Sequence, residues 1–104
     1  MANITFKDIK LVGEITREPD HDHCEKELHT ITLSSMPPAE WEDLFCRDWT
    51  EHTYELGYTS KKAYFNEGML VIRCYRVEDT ADLYARVEDT IARTNDAYRR
   101  RRTV

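Results

Sequence analysis

The stretch Asp20-His21-Asp22-His23-Cys24 gathers two imidazoles, two carboxylates and a thiol, with His29 five positions past the cysteine. All three group types are competent ligands for a zinc-like ion. The metal candidates are therefore His21, His23, Cys24 and His29. A closed tetrahedral site normally draws its ligands from two separated pairs, however, and neither CxxC nor HxxxH occurs in the chain. The plainer expectation is a polar loop whose His and Asp side chains make turn hydrogen bonds. No cofactor is expected.

Nucleophilic catalysis needs a thiol or hydroxyl, a base and an orienting group in one cleft. Cys24 beside His21 and His23 is a start, but a loop holds such geometry poorly. Cys46 and His52 lie six apart on a helical stretch, which puts them on different sides of it. GxGxxG, GxxxxGK[ST], HExxH and GxSxG are all missing. The expectation is a non-enzymatic protein with no catalytic residues.

Two charged stretches point to partners instead. Arg99, Arg100, Arg101 and Arg102 form a basic run that phosphates would attract, together with Lys61, Lys62, Arg73 and Arg76. Cations are also favoured at a helix C-terminus for dipole reasons alone. The opposite case is Glu40, Glu42, Asp43, Asp48, Glu51 and Glu55, six carboxylates with only Arg47 among them. Such a patch can steer and select a basic protein partner. The chain carries a net charge of −5, resolved into −8 over residues 1–60 and +3 over 61–104. An acidic protein is a poor general nucleic-acid binder, so nucleic acid is the disfavoured partner.

The elements that would position these groups follow from periodicity. Ile4 to Ile15 reads as a strand with a fault near Lys7-Asp8, because Ile4 and Phe6 share one parity and Ile9, Leu11 and Ile15 the other. Arg17 to Glu25 reads as a loop. A second strand is expected over Lys26 to Leu33, where His29, Ile31 and Leu33 alternate with polar neighbours. Pro37-Pro38 followed by acidic residues opens a helix running from Pro38 to about His52, with Trp41, Leu44, Phe45 and Trp49 on its apolar side.

Lys61 to Phe65 and Met69 to Val77 read as a hairpin turning through Asn66-Glu67-Gly68. A last helix opens near Glu78-Asp79-Thr80 and carries the stripe Leu83, Val87, Ile91, Thr94 and Tyr98. Asp82 with Arg86, Asp89 with Arg93, and Asp96 with Arg100 are spaced for i,i+4 ion pairs along it. The order ββαββα gives an α+β fold in which an antiparallel sheet of about four strands packs both helices on one face. A chain of 104 residues fits one such domain, with residues 98–104 as a fraying helix end.

No apolar run approaches the length of a membrane span and no signal peptide is visible. Three widely spaced cysteines suit reduced thiols in a cytoplasmic protein better than a disulfide framework. Length, acidity and missing catalytic motifs together point to a small acidic regulator or inhibitor, of the immunity or phage anti-defence type, that binds another protein. Its expected surface joins Glu40, Glu42, Asp43, Asp48 and Glu51 to Arg73 and Tyr75 on the open sheet face. Self-association into a homodimer through that face, or through the final helix, is an equally cheap use of the same surface.

Overall fold

The computed structural model describes residues 7–21, 26–55, 62–75 and 80–102. Strand β1 (Leu11–Pro19), β2 (Lys26–Leu33), helix α1 (Ala39–Glu55), β3 (Lys62–Asn66), β4 (Met69–Tyr75) and helix α2 (Thr80–Arg102) follow in that order. Among the described residues the four strands form one antiparallel sheet in the order β1-β2-β4-β3. The fold is therefore α+β, with element order ββαββα among the described residues.

Strict alternation on β2 decides which face is covered. Glu27, His29, Ile31 and Leu33 are buried while Lys26, Leu28, Thr30 and Thr32 are not. Opposite them on β4 stand Cys74, Ile72 and Leu70, which are also buried. On β3, Ala63 and Phe65 complete the same face. Helix α1 lays Trp41, Phe45 and Trp49 over it at intervals of one turn, in an offset stack with centroid spacings of 5.7 and 6.2 Å. Phe65 meets Trp41 and Phe45 edge-on. Such mixed stacked and edge contacts suit aromatic quadrupoles and add to the gain from burial.

The stripe expected on the last helix is real. Leu83, Val87, Ile91, Thr94 and Tyr98 are all buried. Thr90 and Thr94 afford burial because each hydroxyl donates to the carbonyl one turn back, at 2.8 and 2.7 Å. Asn95 is buried as well, and it fastens the N-terminal segment. Its Oδ1 accepts the Ile9 amide at 3.1 Å, and its Nδ2 donates to the Ile9 carbonyl at 2.9 Å.

Three local expectations are refined. Residues 7–10 lie outside any strand, in keeping with a break near Lys7-Asp8, and a further irregularity falls between Leu11 and Ile15. Four steps along β1 there match two along β2, Gly13 takes a φ of 90°, and Leu11 and Ile15 both return to the core side. Residues 4–6 lie outside the described residues. Arg17, Glu18 and Pro19 belong to β1 rather than to a loop. Arg17 is tolerated on the covered face because Glu27 neutralises it, and Pro19 ends the strand that is outermost among the described residues, where its missing N–H is harmless.

The hairpin turn is the third. Asn66 pairs with Met69 at the end of the ladder, and the loop is Glu67-Gly68 alone. Both residues take positive φ, 52° and 81°, as a two-residue hairpin loop matched to strand twist requires. The strained position thus falls on Glu67, a residue type that rarely adopts it.

Candidate functional site

The strands bring together a polar cluster that sequence spacing did not join. Register sets Arg17 of β1 directly across from His29 of β2, with Glu27 two residues before it on the same face. Arg17 grips Glu27 with two hydrogen bonds, Nε to Oε2 at 2.9 Å and Nη2 to Oε1 at 2.7 Å. His29 Nε2 lies 3.1 Å from the same Oε2, and Nδ1 lies 2.8 Å from the hydroxyl of Tyr84, in the second turn of α2. Glu27 and His29 are buried, Tyr84 is half-buried, and the Arg17 side chain is 44% exposed.

Electrostatics fix the charges in this cluster. Burial works to raise the Glu27 pKa, but hydrogen bonds from Arg17 and His29 overcome it and hold the carboxyl below its ordinary range. The bond to Glu27 raises Arg17 in turn. Burial pushes the Tyr84 phenol up, so it keeps its proton. Ionised acid, imidazole and phenol therefore stand in line, with the acid neutralised by a guanidinium. The only sequence signal for this cluster was the alternation that put His29 on the core side. Arg17 and Tyr84 had none.

The cluster also decides the role of His29. Both of its ring nitrogens are engaged within the fold, so neither offers a lone pair to a metal ion. His21 is exposed, whereas His23 and Cys24 lie outside the described residues. Among the described residues, no group of three or more His, Cys, Asp or Glu side chains is arranged to hold a metal. Cys74 is buried in the core cluster, and burial raises the pKa of the Cys46 thiol, whose Sγ donates weakly to the Ala63 carbonyl at 3.5 Å. Both behave as small hydrophobes.

The acidic helix and α2 meet through two ion pairs, one of them from the basic helix end. The two helices pack against one another, and Arg101 reaches Glu40 at 3.0 Å while Arg93 reaches Asp48 at 2.9 Å. Arg99 pairs with Asp8, and Arg100 with Asp96 at 2.9 Å. The Arg102 side chain lies outside the described residues. Of the three i,i+4 pairs expected on α2, Asp82–Arg86 and Asp96–Arg100 form. The third does not, because Arg93 turns to Asp48 on α1 instead of Asp89.

The expected docking residues consequently fall into separate places. Glu42, Asp43 and Glu51 stand on α1 without an ion pair among the described residues, and burial followed by the charge of Asp43 raises the Glu42 pKa. Arg73 lies on the sheet face turned away from the helices and pairs with Asp20 at 2.7 Å. Tyr75 shares that face by register, and its side chain is outside the described residues. The sheet thus stands between the acidic helix and Arg73, and the two do not form one continuous patch.

Apolar exposure marks a different place. Tyr64 is 42% exposed and Met69 37%, and strand parity puts them diagonally adjacent on the outer face beside Val71. Met36, 75% exposed, crosses the hairpin turn closely enough that a Cβ on Gly68 would sit 3.1 Å from its Cγ and Cε. Elsewhere, a groove of about 450 Å³ between residues 8–11 and α2 is edged by Asp8, Lys10, Glu88 and Arg99, whose charges balance. No helix among the described residues is long and apolar enough to cross a membrane. No protein-family model, curated protein or solved structure matches this chain.

Proposed function

We propose that this protein acts without catalysis, by binding another protein, as a small acidic regulator or inhibitor. The observation that carries the reading is the cluster of Tyr64, Met69 and Met36 at the β3–β4 end of the sheet. Tyrosine is enriched among interface hot spots, and methionine adapts its shape to a partner surface. The charges left over on α1, Glu42, Asp43 and Glu51, supply steering toward a basic partner rather than the contact itself. Arg73 borders the apolar cluster on the same face and contributes a polar rim with Asp20.

The pairing of Arg99, Arg100 and Arg101 with carboxylates of the same chain weighs against the nucleic-acid reading, because phosphate would have to displace Asp8, Asp96 and Glu40. A photo-crosslinking residue placed at Tyr64 tests the proposal against the same residue placed at Arg47 on the outer side of α1. The expected result is one discrete protein adduct from position 64 in native extract, lost when Met69→Ser is added. Adducts of equal yield from both positions, or none from position 64, would sink the reading. An adduct of twice the monomer mass would make the partner a second copy.

A further inference from the structure

Positions 27 and 29 of β2 face the core, where Ile31 and Leu33 do the same work with apolar side chains. A carboxylate and an imidazole at such positions cost stability unless every polar atom finds a partner. Here the partners run in one line from Arg17 through Glu27 and His29 to Tyr84. The two inner groups are buried and the two outer groups reach solvent in part. Of the two ring nitrogens of His29, Nδ1 is the one that faces the partly exposed group, Tyr84.

Bond directions follow from what each group can donate. Ionised Glu27 only accepts, so Nε2 of His29 carries the proton on that side. In the neutral imidazole Nδ1 is then an acceptor, and the Tyr84 O–H donates to it. A second proton on the imidazole can only sit on Nδ1, which then donates to the Tyr84 oxygen. The hydroxyl proton of Tyr84 must in that case turn away from His29. Every hydrogen bond of His29 is satisfied in both states, and the difference between them is the direction of one O–H.

We propose that this tetrad is a proton-operated hydrogen-bond switch, in which protonation of buried His29 turns the Tyr84 hydroxyl from an inward donor into an outward one. Among the described residues, the groups facing it are Arg17 from β1, Glu27 from β2, Cys74 from β4 and Tyr84 from α2. Arg17 and Glu27 carry opposite charges, so the proton adds one positive charge to these four groups. While His29 is neutral, Tyr84 offers its surroundings only lone pairs. In the protonated state it offers a donor, which favours an acceptor such as a carboxylate, phosphate or backbone carbonyl at that point of α2.

Nitrogen NMR of the histidine rings in the full chain decides the matter. At about pH 8 His29 is expected with a protonated Nε2 and a bare Nδ1. Lowering to about pH 5 should protonate Nδ1 in the folded protein, and the Tyr84 Cζ shift should move with the same midpoint. A protonated Nδ1 at the higher pH, a Tyr84 signal that ignores His29, or an imidazole that takes its proton only as the fold is lost would each overturn the proposal. Tyr84→Phe supplies a second readout, because the ring stays and the hydroxyl goes. The His29 midpoint should move in that variant, and an unmoved His29 midpoint overturns the proposal too.

Discussion

The indole N–H of Trp41 donates to Oδ1 of Asn95 at 3.0 Å, and that one oxygen also accepts the amide of Ile9. A single buried side chain on α2 thereby satisfies a core tryptophan on α1 and the chain entering the first strand. The start of α1 lies beside the end of α2, as the Glu40–Arg101 pair also records. Asn95→Ala would leave the Trp41 donor and both Ile9 backbone groups without their partner. A loss of about 3 kcal/mol in urea unfolding is expected, since each stranded buried group costs ~1–3 kcal/mol. In a cycle with Trp41→Phe the two losses should fall short of additive by about 1 kcal/mol, and strict additivity would count against the shared bond.

Glu27 makes a prediction about pH. Its carboxyl is held below the ordinary range, so its ionised form stabilises the fold. That contribution is complete above the unfolded value of ~4.3 and is lost as pH falls through the lower, folded one. Glu27→Gln should cost about 2 kcal/mol at neutral pH, a figure kept modest because Arg17 is 44% exposed. The gap between the two proteins should narrow as pH falls below about 4.5. A gap that goes on widening below about pH 4.5 would contradict the assignment.

The hairpin turn offers a gain. Glu67 holds a left-handed backbone that asparagine and glycine adopt more readily. Glu67→Asn should stabilise the protein by about 0.5–1 kcal/mol, visible as a rise in thermal midpoint of a few degrees. Gly68→Ala should do the reverse, because its new Cβ would meet Met36 at 3.1 Å on a backbone at φ 81°. Equal midpoints in all three proteins would refute the turn geometry.

Arg93 stands one turn past Asp89 on its own helix and yet bonds Asp48 of α1. A double-mutant cycle between Asp48 and Arg93 should return a coupling of about 0.5 kcal/mol that fades in high salt. The cycle between Asp89 and Arg93 should return none. The reversed pattern would place the arginine back along α2.

Within the core, Phe45 touches Trp41, Trp49 and Phe65 at once. Phe45→Ala is expected to cost about 3–5 kcal/mol, enough to unfold a marginal domain of this size at moderate temperature. Leu44→Ala, at a half-buried neighbouring position, should cost clearly less. Similar losses at the two sites would mean that the aromatic stack is not the centre of the core.

The sequence by itself determined the elements and their inner faces. A four-residue rhythm of bulky side chains can mean only one buried side of a helix, so Trp41, Phe45 and Trp49, and the stripe from Leu83 to Tyr98, were legible before any fold was known. Alternation did the same for β2, down to its ends at Lys26 and Leu33. Pairings between elements were not legible, because they depend on register and crossing rather than on spacing along the chain. Spacing alone favours Arg93 with Asp89, and only the approach of α1 supplies the better partner in Asp48. His29 looked like a candidate ligand beside a His- and Cys-containing loop. The antiparallel register of β1 and the descent of α2 instead gave it Glu27 on one nitrogen and Tyr84 on the other, a constellation drawn from three elements that no local pattern could have assembled.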